Sequence, residues 1–545
     1  MRKKQWVYKN DSIITDRSVC LELLLNDYGI ITEQQKDQYF NLSLDNLYDP
    51  FLINNISQAV DLIISTISSA GKITIFGDYD VDGVTSTAVL YNFLTDHFPN
   101  VNVGYLVADR LSGGYGLSIG AVDDALKDKT SLLITVDCGI KDFTAIEKAI
   151  STGMKVLVLD HHEPDEGTPH PATVVIDLKK KGCSYPFREL SACGVVFKLI
   201  CAILKTINKS YNEAYKYLDL VGLSTACDMV PLIDENRTLM YYGLKQINNT
   251  SNTGLIQMIN ICKLEKINID DILFSLGPRI NAAGRLSSAR LAVQLLTTKD
   301  EQQAYELSKE LDSLNSKRKQ LCTDITTTVE KFLDNDKTTT VLYDPTWHQG
   351  VIGIVASQCL NFKYCPTVIM TRRGDVVVGS CRSTKDINIY QALERCKDLL
   401  LGFGGHSLAA GVTLEEKNIE LFKERFEEEI SKLRLSEKKI PILNVTCKIS
   451  LEIIDQEFYE MLSYCEPFGI ANEKPIFVSK IQDYSYSIGR NSIFIKINSN
   501  LLAIGYNMSD KEIILTSQKP FLMAYSINRI SNKDIILTIK DIKEE

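Results

Sequence analysis

Asp78, Asp80 and Asp82 stand at alternate positions in "FGDYDVDG", residues 76–83, directly after the apolar run "KITI". Three carboxylates so close together repel one another unless positive charge sits among them. Further along, Asp137 falls in "TVDCG", Asp160, His161 and His162 in "LDHHEP", and Asp228 in "STACDMVPL". Only six histidines occur in the chain, and two of them form this adjacent pair. His348 in "WHQGVIG" and His406 in "GFGGHSLAAG" lie in glycine-rich loops, whereas His97 and His170 have no such setting. Carboxylates mixed with imidazole, without a cysteine ligand pattern, favour Mn²⁺ or Mg²⁺ over structural zinc. Two such ions, about 3.5–4 Å apart, can activate a water and stabilise the leaving oxygen of an in-line phosphoryl displacement. Alone, the D-x-D-x-D-G pattern also fits a calcium loop or an acidic turn. Four separate clusters make two divalent ions, Mn²⁺ or Mg²⁺, the better reading.

These groups must be positioned by strand ends. From residue 72 to about 178, β-type runs alternate with helical stretches: "KITIFG", "VNVGYLV", "SLLITVDCG", "MKVLVLDHH" and "ATVVIDL" are separated by segments such as "TSTAVLYNFLTDHF" and "DFTAIEKAIS". Such alternation predicts a parallel sheet covered on both faces, with ligands gathering beyond the carboxyl ends of its strands. The polar clusters sit at those ends. Helical segments follow to about residue 260, and "ARLAVQLL…TTTVEKFL" predicts one long helix, or two in succession, joining two lobes. A second α/β unit runs from "TTTVLYD" through "PTVIMT" and "VVVGSCRS" to "LAAGVTL". After residue 440, short alternating runs such as "SIFIKI" and "LLAIGY" predict a small antiparallel β-domain.

At 545 residues the chain is too long for one core and suggests roughly three to four domains. Its net charge of −9 and pI near 5.4 argue against coating nucleic acid through bulk positive charge, and leave room for a local basic groove. The fourteen cysteines form no C-x-x-C pair and are expected to be mostly small buried hydrophobes. No secretory signal or membrane-length apolar run is visible, so a cytoplasmic protein is expected.

In order, "GDYDVDG", "DCG", "DHH" and "ACDMVPL" resemble the motifs of the DHH phosphoesterase superfamily. The likeness continues through "GPRINAAGRL", "WHQGVIGIVAS", "GSCRS", "GFGGHSLAAG" and "EPFGIANEKPIF", which are similar to its branch of single-strand-specific 5′→3′ DNA exonucleases. The fold implied is α/β: a two-lobed core, made of a parallel-sheet DHH domain, a long connecting helix and a DHH-associated α/β domain, plus a small OB-like all-β domain at the C-terminus. The expected boundaries are an N-terminal extension at 1–70, the catalytic domain at 71–265, a motif-bearing loop and connecting helix at 266–337, the substrate-binding domain at 338–438 and the β-domain at 439–545.

The resemblance also implies roles. Asp78 and Asp80 would hold one metal and Asp82, His161 and Asp228 the other, with Asp137 bridging. His162 would assist the departing oxygen, Asp160 would orient His161, and His406 would approach the scissile group. Arg279, Ser380 and Arg382 would capture the terminal 5′-phosphate, since arginine forks match phosphate oxygens. Asn281, Arg285, His348, Gly404 and Gly405 would add further contacts to substrate. Arg110 and Tyr115 in "DRLSGGYGLS" would wall the passage, and Lys317, Arg318 and Lys319 would meet the incoming backbone. Cys227 departs from the family pattern, in which a small apolar residue is expected. The implied partners are single-stranded DNA, a single-strand-binding protein and a helicase, with no membrane and a monomeric chain. Two rivals remain at this point: a phosphodiesterase of the same superfamily acting on oligoribonucleotides or cyclic dinucleotides, and an inactive replication scaffold. Against the first stand the "GPRINAAGR" motif and the added β-domain. Against the second, every expected aspartate and histidine is present.

Overall fold

The computed structural model describes residues 4–110, 116–165, 169–334, 336–433, 440–489, 492–497, 501–508, 511–529 and 535–545. The chain divides into two compact units: Leu42–Leu321 with Pro467–Asn472, and Met1–Asn41 with Cys322–Glu466 and Glu473–Glu545.

The first unit is built on five parallel strands in the spatial order Val103–Val107, Lys72–Gly77, Thr130–Val136, Lys155–Asp160, Val174–Asp177. Their apolar runs are continuous rather than alternating, because both faces of the sheet are covered; every residue of Lys72–Gly77 after the lysine is buried. Helix Ala192–Thr206 is buried all round from Ala192 to Leu204, as a core helix must be. The strand order reverses between Lys72–Gly77 and Thr130–Val136, whose ends meet at the pair Gly77–Val136. The chain leaving these two strands therefore opens a crevice at a topological switch point.

Farther along, within the segment 266–337 expected to hold a motif-bearing loop and a connecting helix, "GPRINAAGRL" is not a loop but a helix, Gly277–Leu286, entered through the π-helical stretch Ile272–Leu276. Pro278, which has no N–H to donate, falls where the π-helical stretch passes into the α-helix. Gly284 is there for contact, since a Cβ at that position would come 2.6 Å from the Tyr79 carbonyl oxygen. Beyond it lie two helices in succession, Arg290–Thr297 and the 31-residue Glu301–Lys331. A buried ion pair anchors the start of this unit. The Lys198 ammonium lies 2.5 Å from Glu235, which also accepts from the Tyr185 hydroxyl at 2.6 Å and the Tyr48 N–H at 2.8 Å.

The other unit holds two sheets of functional interest. One has five strands in the order Gly402–Gly405, Ala409–Leu414, Val376–Arg382, Thr367–Arg373, Thr340–Tyr343. The second is an eight-stranded C-terminal sheet whose last strand in space comes from the N-terminus: Ile13–Ile14 lies beside Cys447–Ile449. Gln5–Tyr8 likewise pairs in parallel with Ile442–Val445. The buried Trp6 indole donates to Asp541 at 2.8 Å, and Lys511 pairs with the same carboxylate at 2.8 Å. No single helix among the described residues is long and apolar enough to cross a membrane.

Candidate active site

Each acidic group is set by a local device. Asp80 caps the helix Val81–His97, accepting from the N–H groups of Asp82 at 2.9 Å and Gly83 at 3.2 Å. Asp82, in the first turn, accepts from the N–H groups of Ala192 at 2.7 Å and Cys193 at 2.9 Å, and from the Ser224 hydroxyl at 2.6 Å. Its carboxylate thus sits against the open N-terminus of the core helix, where N–H donors and the dipole favour negative charge. Asp137 leaves its strand in the left-handed region, φ 61°, with its N–H on the Leu159 carbonyl at 3.0 Å. Asp228 ends the helix Leu218–Cys227.

The resemblance assigns Asp160 to His161, and the structure corrects this. The Oδ1 of Asp160 accepts from His162 Nδ1 at 2.7 Å, and its Oδ2 accepts from the Ile140 N–H at 2.9 Å. Only the backbone N–H of His161 reaches it, at 2.8 Å. At an extended strand end, residues two apart share a side, so the carboxylate meets the second histidine ring and not the first.

Side chains from four strand or helix ends now converge. His161 Nε2 lies 3.3 Å from Asp137 Oδ1, 3.7 Å from Asp82 Oδ2 and 3.7 Å from Asp228 Oδ2. Three sets offer ligand atoms within 4.8 Å of one another: Asp78 with Asp80 and Asp137, Asp82 with His161 and Asp228, and Asp137 with His161 and His162. Asp78 Oδ1, His161 Nε2 and Asp228 Oδ2 are buried and make no hydrogen bond. Burial, reinforced by the charge on Asp80, pushes the Asp78 carboxyl up to about 8. Asp80, Asp137 and Asp228 are raised too, by burial and then by their neighbouring carboxylates. Burial lowers His161. For His162 burial is the largest influence and pulls down, but the hydrogen bond to Asp160 and the charges of Asp160, Asp82 and Asp80 together outweigh it and the pKa is raised. A buried acidic cluster with three ligand atoms that make no hydrogen bond, all hard oxygen or imidazole, fits divalent cations of the Mn²⁺ or Mg²⁺ kind.

Beside the cluster is a cavity of about 250 Å³ lined by Asp80, Asp82 and Asp228 and by Arg110, Asn281 and Arg285, with Tyr79 and Cys227. The Arg110 guanidinium stands 5.0 Å from the Tyr79 ring centroid. Asn281 and Arg285 are four apart on one helix and share a face. Arg279 faces elsewhere. Its guanidinium is held by Asp312 at 2.8 and 2.9 Å and by the Ser275 carbonyl at 2.7 Å, so the structure does not bring it to the cavity. Cys227, the departure from the family pattern, lines the cavity and fills space against Gly277. Tyr115 lies outside the described residues. Lys317 and Lys319 are exposed on their helix, and Arg318 donates to Asn315 at 3.1 Å.

The remaining predicted residues belong to the other unit. Arg382 Nη1 donates to the Ser380 hydroxyl at 3.1 Å and its Nε to the Ser357 hydroxyl at 3.1 Å, which groups both with helix Ile352–Phe362. His348 Nδ1 accepts from the Gly350 N–H at 3.1 Å. Gly404 and Gly405 end an edge strand, and the exposed His406 opens the turn that follows, its N–H on the Ala409 carbonyl at 2.7 Å.

Sequence reasoning misses several supports. Ser224 lies four residues before Asp228, so helical spacing would have placed it on the same side. Ser191, just before an apolar run, carries the usual signal for the helix start that holds Asp82. His170, which has no distinctive setting in the sequence, has one in the fold: its Nε2 is 3.0 Å from the Gly139 carbonyl in the "DCG" turn, while Nδ1 accepts from the Ala172 N–H at 3.2 Å. No sequence signal marks that contact.

Comparison with known proteins adds to this geometry. Residues 72–225 match the DHH family, N-terminal domain; residues 336–432 match the DHHA1 domain, and residues 445–539 the RecJ OB domain. The single-stranded-DNA-specific exonuclease RecJ of Bacillus subtilis (strain 168) is 32% identical over 535 residues, covering 95% of this chain and 67% of that one. RecJ of Haemophilus influenzae is 30% identical over 524 residues, 90% of this chain and 91% of that one. The crystal structure of RecJ in complex with Mn²⁺ from Thermus thermophilus superimposes with a TM-score of 0.85 at 24% identity, covering 99% of this chain and 80% of that chain.

Proposed function

The chain belongs to the RecJ family of single-stranded-DNA-specific exonucleases, and on that premise we propose that it removes 5′-mononucleotides one at a time from the 5′ end of single-stranded DNA by metal-dependent hydrolysis. The observation that carries this reading is the set of buried ligand atoms on Asp78, His161 and Asp228 that make no hydrogen bond, at one strand-end crevice. Asp78 and Asp80 would hold one Mn²⁺ or Mg²⁺ ion and Asp82, His161 and Asp228 the second, with Asp137 able to serve either. When bound, such ions make water a usable nucleophile and offset the charge that develops on the phosphoryl oxygens.

The chain's own residues do the rest. Asp160 fixes the His162 ring through Nδ1 and keeps it protonated to higher pH, which leaves Nε2 to deliver a proton to the departing oxygen. Arg110, Asn281 and Arg285 take backbone phosphate oxygens in the cavity beside the cluster. Arg279 works through Asp312 and braces its helix, so phosphate capture falls to Ser380 and Arg382, with His348, Gly404, Gly405 and His406 adding donors from the same unit. The enzyme acts as a cytoplasmic monomer, on single strands supplied by a helicase and coated by a single-strand-binding protein.

End-labelled DNA tests the reading. With Mn²⁺, a 5′-labelled single strand should yield labelled mononucleotide from the outset, and a 3′-labelled strand should shorten gradually, with duplex spared. Asp80→Ala and His161→Ala should each abolish release. Unchanged release in either variant, or equal attack on duplex, would refute it.

A further inference from the structure

The Asp228 carboxylate is held by fewer hydrogen bonds than those of Asp80 and Asp82. Asp82 is gripped by two backbone N–H groups and a hydroxyl, and Asp80 by two N–H groups. The buried Oδ2 of Asp228 makes no hydrogen bond. Its position therefore depends on the backbone that carries it, the turn from Asp228 to Ile233. That turn begins with Met229 in the left-handed region, φ 57°, a conformation a non-glycine residue keeps only when its surroundings impose it.

Two groups hold the turn just beyond Met229. From one side, the buried Asn236 side-chain amide donates to the Pro231 carbonyl at 3.1 Å. From the other comes a segment more than 230 residues away in sequence, Pro467–Asn472, which packs within the same compact unit as the acidic cluster. The Leu232 N–H donates to the Ile470 carbonyl at 2.7 Å. Gly469 presses on the Leu232 side chain so closely that a Cβ would fall 2.5 Å from its Cδ1 and 2.9 Å from its Cγ. The segment is itself rigid. Gly469 and Asn472 exchange backbone hydrogen bonds at 2.9 and 3.2 Å, and the buried Asn472 amide donates to the Pro467 carbonyl at 2.8 Å.

We propose that Pro467–Asn472 is a positioning strap: it fixes Leu232, hence the turn, hence Asp228, and thereby sets the affinity for the ion held by Asp82, His161 and Asp228. This rests on the assignment of Asp228 as a metal ligand. Outer groups that orient ligands typically change metal affinity by about 10- to 100-fold when lost.

Calorimetric titration of the chelator-stripped full chain with Mn²⁺ tests it, with Gly469→Ala and Asn472→Ala beside the native chain. Each variant should bind one of two ions about tenfold more weakly and the other unchanged. At limiting Mn²⁺ the kcat on single-stranded DNA should fall with KM unchanged, and saturating Mn²⁺ should restore it. The double variant Gly469→Ala with Leu232→Ala should recover affinity, because the truncated leucine frees the space a Cβ needs. Native affinity in both single variants, equal weakening of both ions, or a change confined to KM would overturn the strap while leaving the metal assignment standing. A native chain that takes up no Mn²⁺ would overturn both.

Discussion

Asp78 shows how the site's charges set its behaviour. Its carboxyl is raised from 3.8 to about 8, so at neutral pH the metal-free chain keeps a proton there that a cation must expel. Mn²⁺ uptake at neutral pH should therefore release protons, seen as a dependence of the apparent enthalpy on buffer ionisation, and affinity should rise as pH approaches 8. The sign for stability is opposite. Between 3.8 and about 8 the folded metal-free chain binds more protons at Asp78 than the unfolded one, so its melting temperature should fall as pH rises through that window. A metal-free melting temperature that rises across it would contradict the assignment. His162→Ala should lower kcat by about 10²–10⁴. Asp160→Asn should move the alkaline limb of the kcat profile to lower pH, since the hydrogen bond that raises His162 is lost. The identities of these residues are legible in the sequence, because carboxylates and adjacent histidines after apolar runs have few structural uses. Which histidine Asp160 serves does not follow from adjacency, although the two-residue period of extended chain indicates His162.

Elements differ in how plainly they show in the sequence. The five parallel strands carry long aliphatic runs and are plain, whereas the helix Gly277–Leu286 is disguised by the glycine and proline of "GPRINAAGR", which resemble loop residues. Those residues have positional uses inside a helix: proline where the π-helical stretch passes into the α-helix, and Gly284 where the Tyr79 carbonyl approaches. Gly284→Ala should push that carbonyl aside, costing about 1–3 kcal/mol in a melt and weakening Mn²⁺ binding, because Tyr79 lies between Asp78 and Asp80. The pair Lys198–Glu235 is invisible in sequence, where each reads as a surface charge. Both side chains are at most 2% exposed. Lys198→Met, which strands a buried carboxylate, should cost about 3–5 kcal/mol by denaturant unfolding.

At the scale of the whole chain, the order of the parallel strands explains why separated clusters meet: the sheet reverses between Lys72–Gly77 and Thr130–Val136, and Asp78, Asp80 and Asp137 leave from those two strands. Alternation of strand and helix makes the parallel sheet legible. The destination of the N-terminus is not, since Gln5–Tyr8 pairs with Ile442–Val445 across more than 430 residues and no local pattern encodes that. Trp6→Ala would remove a buried ring and leave Asp541 without its indole donor, at a cost of about 3 kcal/mol or more, read as early melting of the C-terminal sheet. The most direct measurement is the stoichiometry of Mn²⁺ uptake by the chelator-stripped native chain. Two ions per chain are expected, with His161→Ala reduced to one tight site; a native chain that binds a single ion or none would contradict the paired-cation centre.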